Sequence, residues 1–262
     1  MEKLEYKDLL DAGVHFGHLT RKWNPKIAPY VFMERNGIHI IDLNKTLVCL
    51  EDAANAMKQI VKSGRKVMFV ATKKQAQEVV SEEAKRLRMP FVTDRWLGGM
   101  MTNFATIRKS LRKMSSIDKL TKEEAYLNLA KRERLMMSRE RDKLEKVLGG
   151  IADLTRLPAA LFVVDIKREH IAIKEAQKLN IPVIGIVDTN SDPNEVQYPI
   201  PANDDAYKSI SLIVKYMGKA VEEGLIERKQ QKEEAKLKEE ENEKKKADEQ
   251  EELESKDSGS KE

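Results

Sequence analysis

A single cysteine, Cys49, is present in the chain, so no disulfide can form within it and the chemistry of a reducing cytosol suffices. Cys49 lies in KTLVCLEDAANAMKQI beside Leu47, Leu50, Ala54 and Met57 at helical spacing, where it reads as a small core residue. No apolar run approaches the roughly 20 residues that span a bilayer, and MEKLEYKDLLDAG lacks the charged-then-apolar order of a signal peptide. A cytoplasmic protein with no membrane partner is expected. Glycine is missing where a nucleotide enzyme needs it: VMFVA is followed by TKKQAQE, in which neither a Walker loop nor G-x-G-x-x-G can be written. His15 and His18 bracket HFGH while His39 and His170 stand alone, without a second ligand at metal spacing, which argues against zinc. No Ser/His/Asp or Cys/His arrangement assembles without choosing residues freely, so no catalytic residue, cofactor or small-molecule substrate is expected.

What the chain has in excess is charge. Charged residues make up 35% and aromatics only 5%, against roughly 25% charged in ordinary domains. The net charge of +4 is uneven: residues 227–262 hold ten Lys+Arg against fourteen Asp+Glu, a net −4, so the rest carries +8. Residues 105–150 hold thirteen Lys+Arg against seven Asp+Glu, a net +6, which puts most of the excess on one segment. A basic face implies an anionic partner.

With 262 residues and 40% hydrophobic content the chain can bury one large core. KVMFVA (66–71), FVT after Pro90, ALFVVD (160–165), PVIGIVD (182–188) and VQYPI read as five short apolar strands, the last an edge or strand end because of its proline. Helical patterns alternate with them, one behind Thr72 as N-cap, one across Ile171 to Leu179, and one capped by Asp204 and stopped by Gly224. Continuous apolar strands between helices predict an α/β fold, a buried parallel sheet flanked by helices on both faces. Asn36-Gly37 between two apolar runs predicts a small N-terminal β-hairpin. Residues 103–150 interrupt the sheet as a protruding antiparallel helical hairpin: Ile107, Leu111, Met114 and Ile117 mark one helix and Ala130, Met137 and Leu144 the other, with Glu133 and Glu140 breaking the heptads of a regular coiled coil. The chain thus divides into an α/β unit over 1–226 and a charged tail over 227–262, which can extend the last helix as a charged single helix for some turns and for which disorder is expected at least beyond about Ala247.

The stretch TDRWLGGMMTNFATIRKSLRKM (93–114) sets glycines before a basic helix, the parts of a phosphate cradle. Trp23 in RKWNP and Trp96 in DRW each stand beside cations, and each reads equally as a base-stacking ring or as buried core. Arg21, Lys22, Arg95, Arg108, Lys109, Arg112 and Lys113 could be an ordinary solvated face, but Arg108/Arg112 and Lys109/Lys113 are like-charge i, i+4 pairs, a penalty of a few tenths of a kcal/mol that a polyanion would remove. Lys73 and Lys74 read as surface charges that would meet an anion at a helix N-terminus. Asp165, Asp188, Asp192, Asp204 and Asp205 near strand ends read first as caps and turns, with magnesium binding as the alternative and no metal assigned.

AGVHFGHLTRKWNPKIAPYVF, RNGIHIIDLNKT, DRWLGGMMTNFATIRKS and PAALFVVDIKREHIAIKEAQKLNIPVIGIVDTNSDPNEVQYPIPANDDA together resemble the bacterial family of small-subunit ribosomal protein two, in order from about residue 4 to 224. The resemblance implies a Rossmann-like or flavodoxin-like sheet with a projecting hairpin and no catalytic activity. It implies a seat between head and body of the small subunit, contacts with small-subunit ribosomal RNA and neighbouring ribosomal proteins, and help in recruiting the large OB-fold messenger-binding protein. On this chain it singles out Arg21, Lys22, Trp23, Asn24, Arg95, Trp96, Asn103, Arg108 and Arg112 for RNA or assembly contacts. A shorter link between RKSLRKM and DKLTKEEA and the lysine/glutamate tail depart from the family pattern. The competing readings are a nucleotide-using enzyme with a regulatory hairpin and a free cytosolic coiled-coil scaffold.

Overall fold

The computed structural model describes residues 4–121 and 129–258, with backbone alone from 235 onward. The tip of the helical hairpin therefore lies outside the described residues. After a short helix α1 (Tyr6–Asp11), strands β1 (Phe16–Leu19), β2 (Val31–Arg35) and β3 (Ile38–Ile41) form an antiparallel sheet in the order β1-β3-β2. The turn between β2 and β3 places Asn36 and Gly37 at φ 52° and 73°, the left-handed backbone that a two-residue hairpin requires. The hairpin is thus as the dipeptide predicts, and FGHL adds a third strand that its four residues do not announce.

Helix α2 (Leu43–Lys62) starts where the Asp42 carboxylate accepts from Asn44 N at 3.0 Å. Then come β4 (Val67–Val70), α3 (Lys74–Arg86), β5 (Phe91–Val92), α4 (Phe104–Leu120), α5 (Lys131–Leu148), β6 (Ala160–Val164), α6 (His170–Lys178), β7 (Val183–Val187), β8 (Tyr198–Pro201) and α7 (Tyr207–Ser258). The last five strands form a parallel sheet in the order β5-β4-β6-β7-β8. Counted within this sheet the order is 2-1-3-4-5, the flavodoxin-like winding. β8 with Pro199 and Pro201 is an edge strand, as its prolines predict.

Alternate side chains of each strand feed two cores. Phe69, Phe162 and Ile184 point into one, against α2, α3 and α7; Met68, Val70, Leu161 and Val163 point into the other, against α6 and the root of the α4/α5 hairpin. The rings of Phe69 and Phe162 meet at 5.3 Å and 58°, a tilted pair. In the hairpin Ile107, Leu111, Met114 and Ile117 are buried, and Glu140, which breaks the heptad, forms an ion pair with Lys113 of the facing helix. Arg141 binds Asp118 at 2.9 Å alongside it.

One expectation about α7 is corrected. Gly224 does not stop this helix but lies within it, where a Cβ would come 2.8 Å from the Lys58 carbonyl oxygen on α2. Its role is close helix approach. The backbone is helical to Ser258, and Lys, Glu and Ala are good helix formers even without a core to bury. Thr72 is not an N-cap either: its N–H and hydroxyl both donate to the Glu169 carboxylate, at 2.8 and 2.5 Å.

Candidate nucleic-acid interface

The glycine loop of residues 95–103 is an anion cradle, but its anion is internal. Glu175 on α6 accepts from Trp96 Nε1 at 3.1 Å and Gly99 N at 2.7 Å through one oxygen, and from Met101 N at 2.9 Å, Thr102 N at 3.0 Å and Thr102 Oγ1 at 3.1 Å through the other. Burial alone would push this carboxyl upward, yet the converging donors outweigh it and hold Glu175 below the usual carboxylate range. Gly99 takes φ 86°, as only glycine does readily, which aims the backbone N–H groups inward. The expectation that these N–H groups face RNA phosphates is therefore corrected. Trp96 is 6% exposed in the second core and offers no face to a base, which settles its two readings in favour of burial.

What the cradle does is set the start of α4. Arg95 is exposed beside it, and Asn103 occupies the N-cap position with its side-chain Oδ1 accepting from Thr106 Oγ1 at 2.9 Å. Since Ile107, Leu111 and Met114 bury one face, Arg108, Lys109 and Arg112 project outward, and none of the three has an acidic partner among the described residues. Lys113 does, in Glu140. Arg108, Lys109 and Arg112 are thus predicted contacts that the fold brings together as positive charge without an acidic partner among the described residues.

The RKWN segment sits elsewhere, tied to the carboxyl end of β7 by Asn24 N donating to Thr189 O at 2.8 Å. Arg21 and Lys22 are exposed there, and Trp23, 37% exposed, lays its ring against His39 at 4.7 Å. Asn24 spends its side chain on the following turn, accepting from Lys26 N at 3.0 Å. Lys74 is exposed at the start of α3.

Lys73 is not the surface charge expected. It is 8% exposed, with Nζ 2.7 Å from Asp204, 2.5 Å from Asp205 and 3.5 Å from Asp165. Together with the Glu169–Thr72 contact and Arg168 Nε donating to Thr72 Oγ1 at 2.9 Å, it fills the crevice between β4 and β6 where the strand order reverses. That crevice is where flavodoxin-like sheets hold nucleotides. Capping explains Asp192, which accepts from Asn194 N at 3.0 Å, but not Asp188 or Asp204. His18 Nδ1 lies 3.1 Å from Asp188, and ligating atoms of His18, Asp188 and Asp204 all lie within 4.8 Å of one another. One imidazole and two carboxylates can hold a divalent metal ion. Chain spacing gave no sign of this group, because residues 18, 188 and 204 meet only through the fold. Burial, with Asp188 and Asp165 nearby, pushes Asp204 up to about 7 in spite of Lys73, and the hydrogen bond to Asp188 raises His18.

A nucleotide crevice filled with the chain's own side chains and a basic projection left open define a structural component of a nucleic-acid assembly. Comparison with known proteins agrees. Residues 9–224 match the family model described as Ribosomal protein S2. Proteins called small ribosomal subunit protein uS2 are similar throughout: that of Cytophaga hutchinsonii is 72% identical over 236 residues, 90% of this chain and 93% of the relative. Those of Flavobacterium johnsoniae and Parabacteroides distasonis are 64% identical over 231 residues (88% and 91% of the two chains) and 59% identical over 235 residues (90% and 84%). The chain belongs to the ribosomal protein S2 family, and it is a structural constituent of the small subunit of the cytoplasmic ribosome, not an enzyme.

Proposed function

We propose that the chain binds small-subunit ribosomal RNA at the junction of head and body through the root of its helical hairpin, with Arg95, Asn103, Arg108, Lys109 and Arg112 on the phosphates. The observation that carries this is the difference along α4: Lys113 is neutralised within the molecule, while Arg108, Lys109 and Arg112 are exposed with no acidic partner among the described residues. Arg21, Lys22 and the half-open ring of Trp23 form a second, smaller contact, and Lys74 a third. Lys113 joins the RNA face only if it leaves Glu140, and Lys73 and Trp96 support the surface from within. Reversing Arg108 and Arg112 is expected to lower the protein's occupancy in purified small subunits and to flatten the salt dependence of RNA binding. Unchanged occupancy would sink the assignment.

We infer further that the chain helps recruit the large OB-fold messenger-binding ribosomal protein. A groove of about 600 Å³ between α1 and the antiparallel sheet is lined by Tyr6, Leu10, Phe16, Phe32 and Met33, with Phe32 67% and Phe16 48% exposed. Exposed aromatics around a groove suit an apolar segment of a neighbouring protein. Changing both Phe16 and Phe32 to alanine is expected to leave this chain on the subunit and release the messenger-binding protein; retention of both would remove this reading.

A further inference from the structure

The amino ends of the parallel strands carry a second basic surface, at the pole of the sheet opposite the carboxylate cluster. Arg65 and Lys66 lead into β4, Lys85 lies in the last turn of α3 and Arg88 just beyond it, and Arg156 lies in the segment leading into β6; all five are exposed. Two adjoining clefts of about 420 and 500 Å³ run between them and share Lys66, Asp153 and Leu154. Ala159 N donates to Lys66 O at 2.9 Å, so backbone holds the two sides together. Lys85 lies over the Phe91 ring at 5.7 Å, and Arg228 of α7 packs on Gly64, where a Cβ would come 2.7 Å from its Nη2.

The pairing of charge separates this pole from the other. At the carboxyl ends Lys26, Lys73 and His18 each lie within ion-pair distance of a carboxylate. At the amino ends Asp153 is the one acidic residue among those lining the clefts, and Arg65, Lys66, Arg88 and Arg156 have no ion pair among the described residues. Like charges gathered around a cleft repel one another, and an anion seated between them removes that repulsion.

Arg88 adds an independent observation. Helix α3 ends with Arg88 N donating to Lys85 O at 3.1 Å and Met89 N to Ala84 O at 2.9 Å, a motif whose central residue must be left-handed. Glycine fills that position without strain, yet here an arginine does so at φ 54° and lines the second cleft. A strained backbone that keeps a side chain in place points to use of that side chain.

We propose that this amino-pole surface is a second RNA-binding site, separate from the hairpin root, which takes the phosphate backbone of small-subunit ribosomal RNA in the clefts around Lys66. It rests on the reading of the chain as an RNA-binding protein, and the test keeps the two apart. Binding of the purified full chain to small-subunit ribosomal RNA is measured across a potassium chloride series for wild type, R65E/R156E, R88G and R108E/R112E. The expected result is that R65E/R156E loses about tenfold or more in affinity at moderate salt, with a log–log salt slope smaller by about one to two. R88G is expected to melt no lower than wild type, since glycine relieves the left-handed backbone, and still to bind RNA more weakly. Full affinity and slope in both R65E/R156E and R88G, with loss confined to R108E/R112E, would overturn the second site and leave the hairpin reading standing. A wild-type chain that fails to bind would remove both. Normal RNA binding by R65E/R156E with lost occupancy in subunits would assign the pole to an acidic protein neighbour and overturn the proposal.

Discussion

The carboxyl pole of the sheet and the hairpin it supports hold charge in opposite ways. At the pole Lys73, His18, Asp188, Asp204 and Asp205 are settled against one another, most of them out of water. On α4 Arg108, Lys109 and Arg112 face solvent without a partner among the described residues. Composition treats these charges alike, although the first group holds the fold together and the second leaves it free to hold something else. The difference is set by burial, because a charge taken out of water must be matched inside the protein and a charge left in water need not be.

The contrast can be broken from its buried side first. Lys73→Met should cost about 3 kcal/mol, read as a lower denaturation midpoint at constant slope, since it strands the buried Asp204 beside Asp188. A loss below about 0.5 kcal/mol would mean that water or an ion already settles that cluster. The cradle comes next. Glu175→Ala leaves the N–H groups of Gly99, Met101, Thr102 and the indole without an acceptor, about 2–3 kcal/mol, and Glu175→Gln should lose less.

The same carboxyl predicts a pH dependence. Because folding lowers the Glu175 pKa, its stabilisation is complete above the ordinary value of 4.5 and is lost as pH falls through the depressed one. The gap in melting temperature between wild type and Glu175→Gln should therefore be constant near neutrality and shrink below about pH 4.5. A gap that widens on acidification would reverse the assignment.

A smaller effect separates helix stop from helix contact at Gly224. Alanine gains about 1 kcal/mol of helix propensity, but a Cβ 2.8 Å from Lys58 O and 3.3 Å from Val61 Cβ forces α2 and α7 apart. A net loss of about 1 kcal/mol is expected, and a stabilised variant would show that the contact relaxes. Smallest of all in stability, Arg108→Ala with Arg112→Ala should change the unfolding free energy by less than about 0.5 kcal/mol while lowering subunit occupancy. Equal losses in both readouts would make those arginines part of the fold, and the contrast with Lys73 would disappear.

Much of the architecture was legible along the chain. The five apolar strands, the Asn36-Gly37 turn, the inward face of α4 and the concentration of positive charge over residues 105–150 all depend on near neighbours, and near neighbours are what periodicity records. Misreadings arose where a distant segment supplied the partner. Thr72 and Asp204 look like caps until Glu169 and Lys73 reach them, Gly224 looks like a stop until α2 lies against it, and Trp96 with the glycine loop looks like a phosphate site until Glu175 occupies it.

The sequence by itself determined the α/β class, the alternation of strand and helix, the basic hairpin and the family to which the chain belongs, because each of these is written in local pattern and long motifs. Only the tertiary structure decided the flavodoxin-like strand order, which charges are spent inside the molecule, and which remain open on its surface. Pairing and burial depend on which segments meet, and residues 73 and 204, or 96 and 175, meet only when the sheet is wound.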